Sequence, residues 1–311
     1  MRLVIALGGN ALARRGEPLD VASQRSAVGR AAEVLAALAR AHDVVVTHGN
    51  GPQVGWLAMQ AAAAGPGVPL DVLGAESEGL LGYLIEQELG NRLPERDLAV
   101  LLTQVEVRED DRAFRAPSKP VGPVLDEEAA RRLADERGWR FAPEGSGQRR
   151  LVASPAPHHV VELRTIQLLV RLGVVVVCAG GGGIPVAKRA DGTVHGVEAV
   201  VDKDATAALL ATRLGADHLL LLTDVPAVYA DWPERREPIA RASPRALAER
   251  AFEAGSMGPK IESACRFVRQ TGHTAHVGAL EDAARVLTGK AGTAVEPGTS
   301  PVALRDERSK R

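Results

Sequence analysis

Short runs of consecutive apolar residues alternate along the chain with longer stretches in which apolar positions recur at helical spacing. Residues 3–7 read as a buried strand ending in Gly8-Gly9, and 21–40 as an alanine-rich helix. Val44-Val45-Val46 predicts a second strand, ending in Thr47-His48-Gly49-Asn50-Gly51, with another helix over about 53–64. Later come 174–178 before four glycines, 219–222 before Thr223-Asp224, and 274–277 before Gly278. Strands that are apolar throughout are buried on both faces, and their alternation with helices predicts a parallel sheet covered on each side. The fold class is α/β.

Residues 108–157 break this rhythm with prolines, charges, glycines and one predicted helix over 126–137. A structureless insertion of that length is unusual in a compact domain, so the segment reads as an excursion, a lid or flap, although composition alone slightly favours an ordinary solvated insertion. The expected organisation is one domain over 1–311 with a protruding subdomain over 108–157. The charged tail after Pro301 is expected to fray.

Composition narrows the class. The 311 residues are 45% apolar and carry 38 basic against 39 acidic side chains, a formal charge of −1. That excludes a disordered or collagen-like chain and gives no footprint for nucleic acid or an anionic membrane. Cys178 and Cys265 form no disulfide framework or metal spacing, no run reaches the ~18 residues of a membrane helix, and the apolar start is too short for a signal peptide. A soluble cytoplasmic protein is expected. The basic residues divide unevenly into six lysines and thirty-two arginines.

Three apolar strands end in glycine-rich turns, Gly8-Gly9-Asn10, Gly49-Asn50-Gly51 and Gly180 to Gly183. In open α/β sheets ligands bind beyond the carboxyl ends of strands, where helix N-termini aim free N–H groups and glycine permits close approach. One such turn reads as an ordinary tight connection; three together point to a nucleotide polyphosphate with a second small anion. There is no G-x-x-x-x-G-K-[ST] loop and no G-x-G-x-x-G dinucleotide fingerprint, which disfavours NAD.

In a chain that prefers arginine, a lysine in a special setting is a candidate for following a phosphoryl group in transit. Lys119 lies in a stiff turn, Ser118 to Pro123; Lys203 lies in Asp202-Lys203-Asp204 at a helix start; Lys260 follows Pro259, read as a first helical position. Lys188, Lys290 and Lys310 read as solvated. Asp204 reads as a helix N-cap, and Asp202 as the carboxylate that holds Lys203 and a second lysine in register. His48 is either a substrate contact or a structural histidine. Ser77 and Ser256 are candidate phosphate donors, and the remaining histidines do not assemble a metal cage.

The segments Ala6 to Ala11, His48 to Gly55, Lys119 to Pro123, Gly180 to Pro185, Gly196 to Asp204 and Gly255 to Lys260 closely resemble, in order, the motifs of the carbamate kinase family of the amino acid kinase superfamily. The resemblance runs from about Leu3 to Val295. It implies an open αβα sandwich with a mainly parallel sheet of about eight strands, a protruding subdomain and a homodimer. It further implies reversible transfer between ATP and carbamate giving ADP and carbamoyl phosphate, with Mg²⁺, in arginine catabolism. By motif position, Gly8, Gly9 and Asn10 would meet the transferred phosphoryl group, and Gly49, Asn50 and Gly51 would hold carbamate. Lys203 and Lys260 would contact nucleotide phosphates, organised by Asp202, with Lys119 reaching in from the subdomain. Gly180, Gly181, Thr223, Asp224, Val225, Tyr229 and Met257 would lie along the nucleotide. The rivals are another acyl-phosphate-forming kinase of the superfamily and a nucleotide-binding regulatory protein of the same fold.

Overall fold

The computed structural model describes residues 1–12, 20–65, 67–232, 235–252 and 257–305, with residues 10, 11, 231, 235 and 236 described by backbone alone. Six parallel strands form the centre, in the order Leu98–Leu101, Val175–Cys178, Asp43–His48, Arg2–Leu7, His218–Thr223 and Thr274–Ala279. Thr293–Val295 then pairs antiparallel, and Arg235–Ala242 pairs parallel to it. Tyr229–Asp231 and Ala303–Leu304 add to that edge. The sheet has ten strands rather than about eight, the additions being these two segments of three and two residues.

The uninterrupted apolar strands divide their side chains between two cores. Leu3, Ile5 and Leu7 face helices Val21–Ala39 and Leu70–Gly90, while Val4 and Ala6 face helices Lys203–Leu214 and Met257–Thr271. A strand buried on both faces needs apolar residues at every position, which is the pattern of Val44-Val45-Val46, all fully buried. The αβα layering follows. No described helix is long and apolar enough to cross a membrane.

The excursion is ordered locally. Lys119–Leu125, Gly147–Val152 and Arg140–Glu144 form a three-stranded antiparallel sheet, with helix Glu127–Arg137 capped by Asp126, whose Oδ1 accepts Ala129 N–H at 2.7 Å. Lys119 therefore opens an edge strand rather than lying in a turn, and Pro120 and Pro123 are tolerated because that edge needs no donor. Beneath it, Val121 and Val152 pack with Val54, Ala58, Leu70, Leu73 and Val200.

Candidate active site

Parallel register aligns the carboxyl ends of the central strands, pairing Leu7 with both His48 and Leu222. The predicted turns therefore emerge side by side. Gly8 N–H donates to Leu222 O at 2.8 Å and Gly49 N–H to Leu7 O at 3.0 Å, so these two amides extend the sheet. A Cβ on Gly49 would stand 2.9 Å from Gly9 N and 3.3 Å from Lys203 Cδ, and one on Gly8 would stand 3.1 Å from Leu222 O. Glycine is required here because two backbones and a lysine stem meet with no space between them.

On one side of this contact lies a cluster of charge. Asp204 Oδ2 accepts from Lys260 Nζ at 2.9 Å and from Lys203 Nζ at 3.1 Å, and Asp202 Oδ2 accepts from Lys119 Nζ at 2.5 Å. Asp202 Oδ1 takes the N–H groups of Asp204 and Ala205, which makes Asp202 the N-cap of helix Lys203–Leu214. The two carboxylates thus exchange the roles read from sequence: Asp202 caps and holds Lys119, while Asp204 bridges Lys203 and Lys260. The helix starts at Lys203, which puts Asp202 at the cap and Asp204 inside the first turn. Burial opposes charge on Asp202, Lys203, Asp204 and Lys260. Lys119 and Lys203 nevertheless hold Asp202 well below the usual carboxylate range, Lys203 and Lys260 hold Asp204 down, and Asp204 with Asp202 holds Lys203 up. Lys260 is pulled below the usual lysine range by burial, with the Lys203 charge adding to it. Three ammonium groups against two carboxylates leave a net positive charge and spare N–H donors, as a polyanion requires.

The other side is neutral. Asn50 precedes helix Gly51–Ala64 without capping it; its Nδ2–H donates instead to Ser77 Oγ at 2.7 Å, and Ser77 Oγ–H donates to Gly74 O at 2.9 Å. The uncapped first turn, with Pro52 in it, leaves N–H donors at a positive dipole end for a small anion. Ser77 is fully buried and engaged in this way, so it is not the phosphate donor suggested by its residue type. His48 is also buried: its Nδ1–H donates to Gly49 O at 3.2 Å and burial lowers it to about 4, which resolves it as a structural histidine.

Gly180–Gly182 forms a tight turn with Ala179 at φ 50° and Gly181 at φ 69°. A Cβ on Gly180 would stand 2.4 Å from His48 Nε2, and one on Gly181 would stand 2.1 Å from Asn50 Nδ2. Gly180 N–H donates to Glu78 Oε1 at 2.7 Å. Gly180 and Gly181 therefore serve first as a wall behind Asn50, on the neutral side.

Lys119 is delivered by the excursion. Gly122, at φ 74° in a bulge of its strand, lies against Gly55, where a Cβ would stand 1.9 Å from Gly122 Cα. Arg150 stacks over Trp139 at 3.6 Å and donates to Glu198 Oε1 at 3.2 Å, while Glu198 Oε2 accepts Leu70 N–H at 2.8 Å. Burial lowers Arg150 to about 10 against the pull of Glu198. Thr223 and Asp224 end the strand beside Gly8, with Thr223 Oγ1–H donating to Asp224 Oδ1 at 3.0 Å; Val225 follows. Tyr229 lies further out, its ring 5.8 Å from that of Trp232. Helix Met257–Thr271 begins at Met257, so Pro259 is its third residue rather than its first. Gly255, Ser256 and the side chain of Asn10 lie outside the described residues. Glu78 and the positioning role of Ser77 were absent from the sequence reading. Their signal was the stripe Leu70, Leu73, Ser77, Leu81, Leu84, whose spacing places Ser77 inside.

The family model described as the amino acid kinase family matches residues 1–279, and the chain belongs to that family. Its relatives make the assignment narrower. A carbamate kinase of Rhizobium meliloti is 51% identical over 309 residues, covering 97% of this chain and 95% of that one. A crystal structure from Aeropyrum pernix K1 superposes with a TM-score of 0.89 at 42% identity, covering 96% of this chain and all of that one. Carbamate kinase from Giardia lamblia bound to AMP-PNP gives 0.85 at 37% identity, covering 95% and 98%. Within the family, the chain groups with the carbamate kinases.

Proposed function

We propose that the chain is an ATP:carbamate phosphotransferase, interconverting ATP plus carbamate with ADP plus carbamoyl phosphate. The observation that carries the reading is Asp204 bridging Lys203 and Lys260 directly beside the Gly9–Gly49 contact. Carbamate is already an anion, so its oxygen attacks the γ-phosphorus without a general base. The remaining task is to hold two anions together and to neutralise the equatorial oxygens, the usual burden in phosphoryl transfer.

In this reading Lys203 and Lys260 meet the transferred phosphoryl group and the nucleotide phosphates, with Lys119 closing from the excursion. Gly8, Gly9 and Asn10 border the phosphoryl group, and Gly49, Asn50 and Gly51 hold carbamate at the uncapped helix end. The adenosine lies along Thr223, Asp224, Val225, Tyr229 and Met257, while Gly180 and Gly181 form the wall behind Asn50. Mg²⁺ would neutralise phosphate charge when bound. No three His, Cys, Asp or Glu gather among the described residues, so it would arrive on the nucleotide, and Asp204 Oδ1, buried without a partner, is the carboxylate oxygen left for it. Residues 108–157 act as a subdomain of a single domain. A cytoplasmic homodimer that makes ATP from carbamoyl phosphate in arginine catabolism fits this chemistry, with no nucleic acid or membrane partner.

Incubating the protein with ADP, Mg²⁺ and carbamoyl phosphate, beside acetyl phosphate as a competing donor, tests the reading. ATP forms from carbamoyl phosphate in preference to acetyl phosphate; absence of ATP from either overturns it, and preference for acetyl phosphate assigns another acyl-phosphate kinase.

A further inference from the structure

One helical turn that phosphoryl transfer does not use holds both halves of the neutral wall. Ser77 and its neighbour Glu78 sit on the buried side of helix Leu70–Gly90. Ser77 takes the Asn50 amide N–H at 2.7 Å. Glu78 reaches the opposite partner: Oε1 accepts Gly180 N–H at 2.7 Å and Oε2 accepts Thr103 N–H at 3.2 Å. Thr103 Oγ1 in turn accepts Ala179 N–H at 2.9 Å, so Glu78 fixes the glycine turn at two successive points, one directly and one through Thr103. That turn leaves no room for a Cβ against His48 or Asn50.

A carboxyl group suits this place because it offers one oxygen to each of two buried amides. It is also best kept neutral, since a carboxylate would repel an anion held at Asn50. Burial raises Glu78 to about 8, with the Glu162 charge adding to the effect; Cys178 and His48 are the other titratable groups beside it. His48, whose Nδ1–H is given to Gly49 O, packs its ring against the same Gly180.

We propose that Glu78 is a positioning residue for the carbamate end of the site: by holding Gly180 and Thr103 it sets the glycine turn against Asn50, and so the direction of the Asn50 amide. The proposal rests on the assignment of Gly49, Asn50 and Gly51 to carbamate. Glutamine at this position would turn an NH₂ toward one of the two amide donors and leave that amide unpaired.

The test compares the full-length wild type, Glu78→Gln and the packing control Leu84→Ala, measuring KM for carbamoyl phosphate and for ADP together with Tm. Glu78→Gln raises KM for carbamoyl phosphate about tenfold or more while KM for ADP stays within about twofold. Leu84→Ala lowers Tm and moves neither KM. A Glu78→Gln enzyme whose Tm falls while both KM values stay wild-type, or whose two KM values rise together, overturns the proposal. If Glu78→Gln does not fold, Ser77→Ala reads the same split from the other half of the turn. A wild type that makes no ATP overturns the carbamate reading itself, a result distinct from either.

Discussion

Lys203 and Lys260 each lie within 3.1 Å of Asp204, whereas across the Gly9–Gly49 contact Asn50, Ser77 and Gly180 are joined through uncharged donors and a carboxyl that burial raises to about 8. The two walls of one cleft are thus made of different material. In the proposed reaction the charged wall would face an anion whose charge grows and shifts during transfer, which mobile ammonium groups would follow. The neutral wall, in the proposed reaction, would face a small planar anion whose direction matters more than its charge. Charge supplies transition-state stabilisation, and packing supplies orientation.

The largest expected effect breaks the charged wall. Asp204→Ala leaves two buried ammonium groups facing each other and costs about 3–5 kcal/mol, read as a fall in Tm and in the urea midpoint. Asn50→Ala removes a neutral hydrogen bond and costs about 1 kcal/mol. Equal losses would erase the distinction between the walls.

Gly55→Ala tests how the excursion serves the charged wall. Its Cβ would meet Gly122 Cα at 1.9 Å, so the hairpin lifts, Lys119 leaves Asp202, and kcat falls by roughly tenfold to a hundredfold. Gly74→Ala, whose Cβ meets nothing within 4 Å, leaves kcat unchanged.

The last test sharpens the neutral wall. Glu78 is raised from 4.5 to about 8, so the folded protein holds a proton that the unfolded chain releases across that interval. Its contribution is complete below about pH 4.5 and is lost as pH rises through 8, lowering Tm by several degrees. Glu78→Gln removes this slope, so the Tm difference between wild type and variant narrows from pH 5 to pH 8.5. A difference constant with pH contradicts a neutral Glu78.

The charged wall was the easier half to read from sequence. Lys119, Lys203 and Lys260 stood out because arginine occupies nearly every ordinary basic position. Which of Asp202 and Asp204 touches which lysine depended on the residue at which the helix starts, and a shift of two positions moved the cap. The glycines of the neutral wall were visible, but what fills the space above them was not. Glu78 follows Glu76 in a helix with several surface carboxylates, and its burial is set by Thr103 and Gly180, 25 and 102 residues further along the chain. The parallel sheet was legible because both-face burial forces continuous apolar runs. The outer edge was not, because Tyr229–Asp231 and Ala303–Leu304 are too short to show a period.

The most direct test of the division between walls is the kinetics of Lys260→Ala with ADP and carbamoyl phosphate. A kcat lower by roughly 10² or more, with KM for carbamoyl phosphate near that of the wild type, is the predicted result. Wild-type turnover, or a raised KM for carbamoyl phosphate at unchanged kcat, would contradict it.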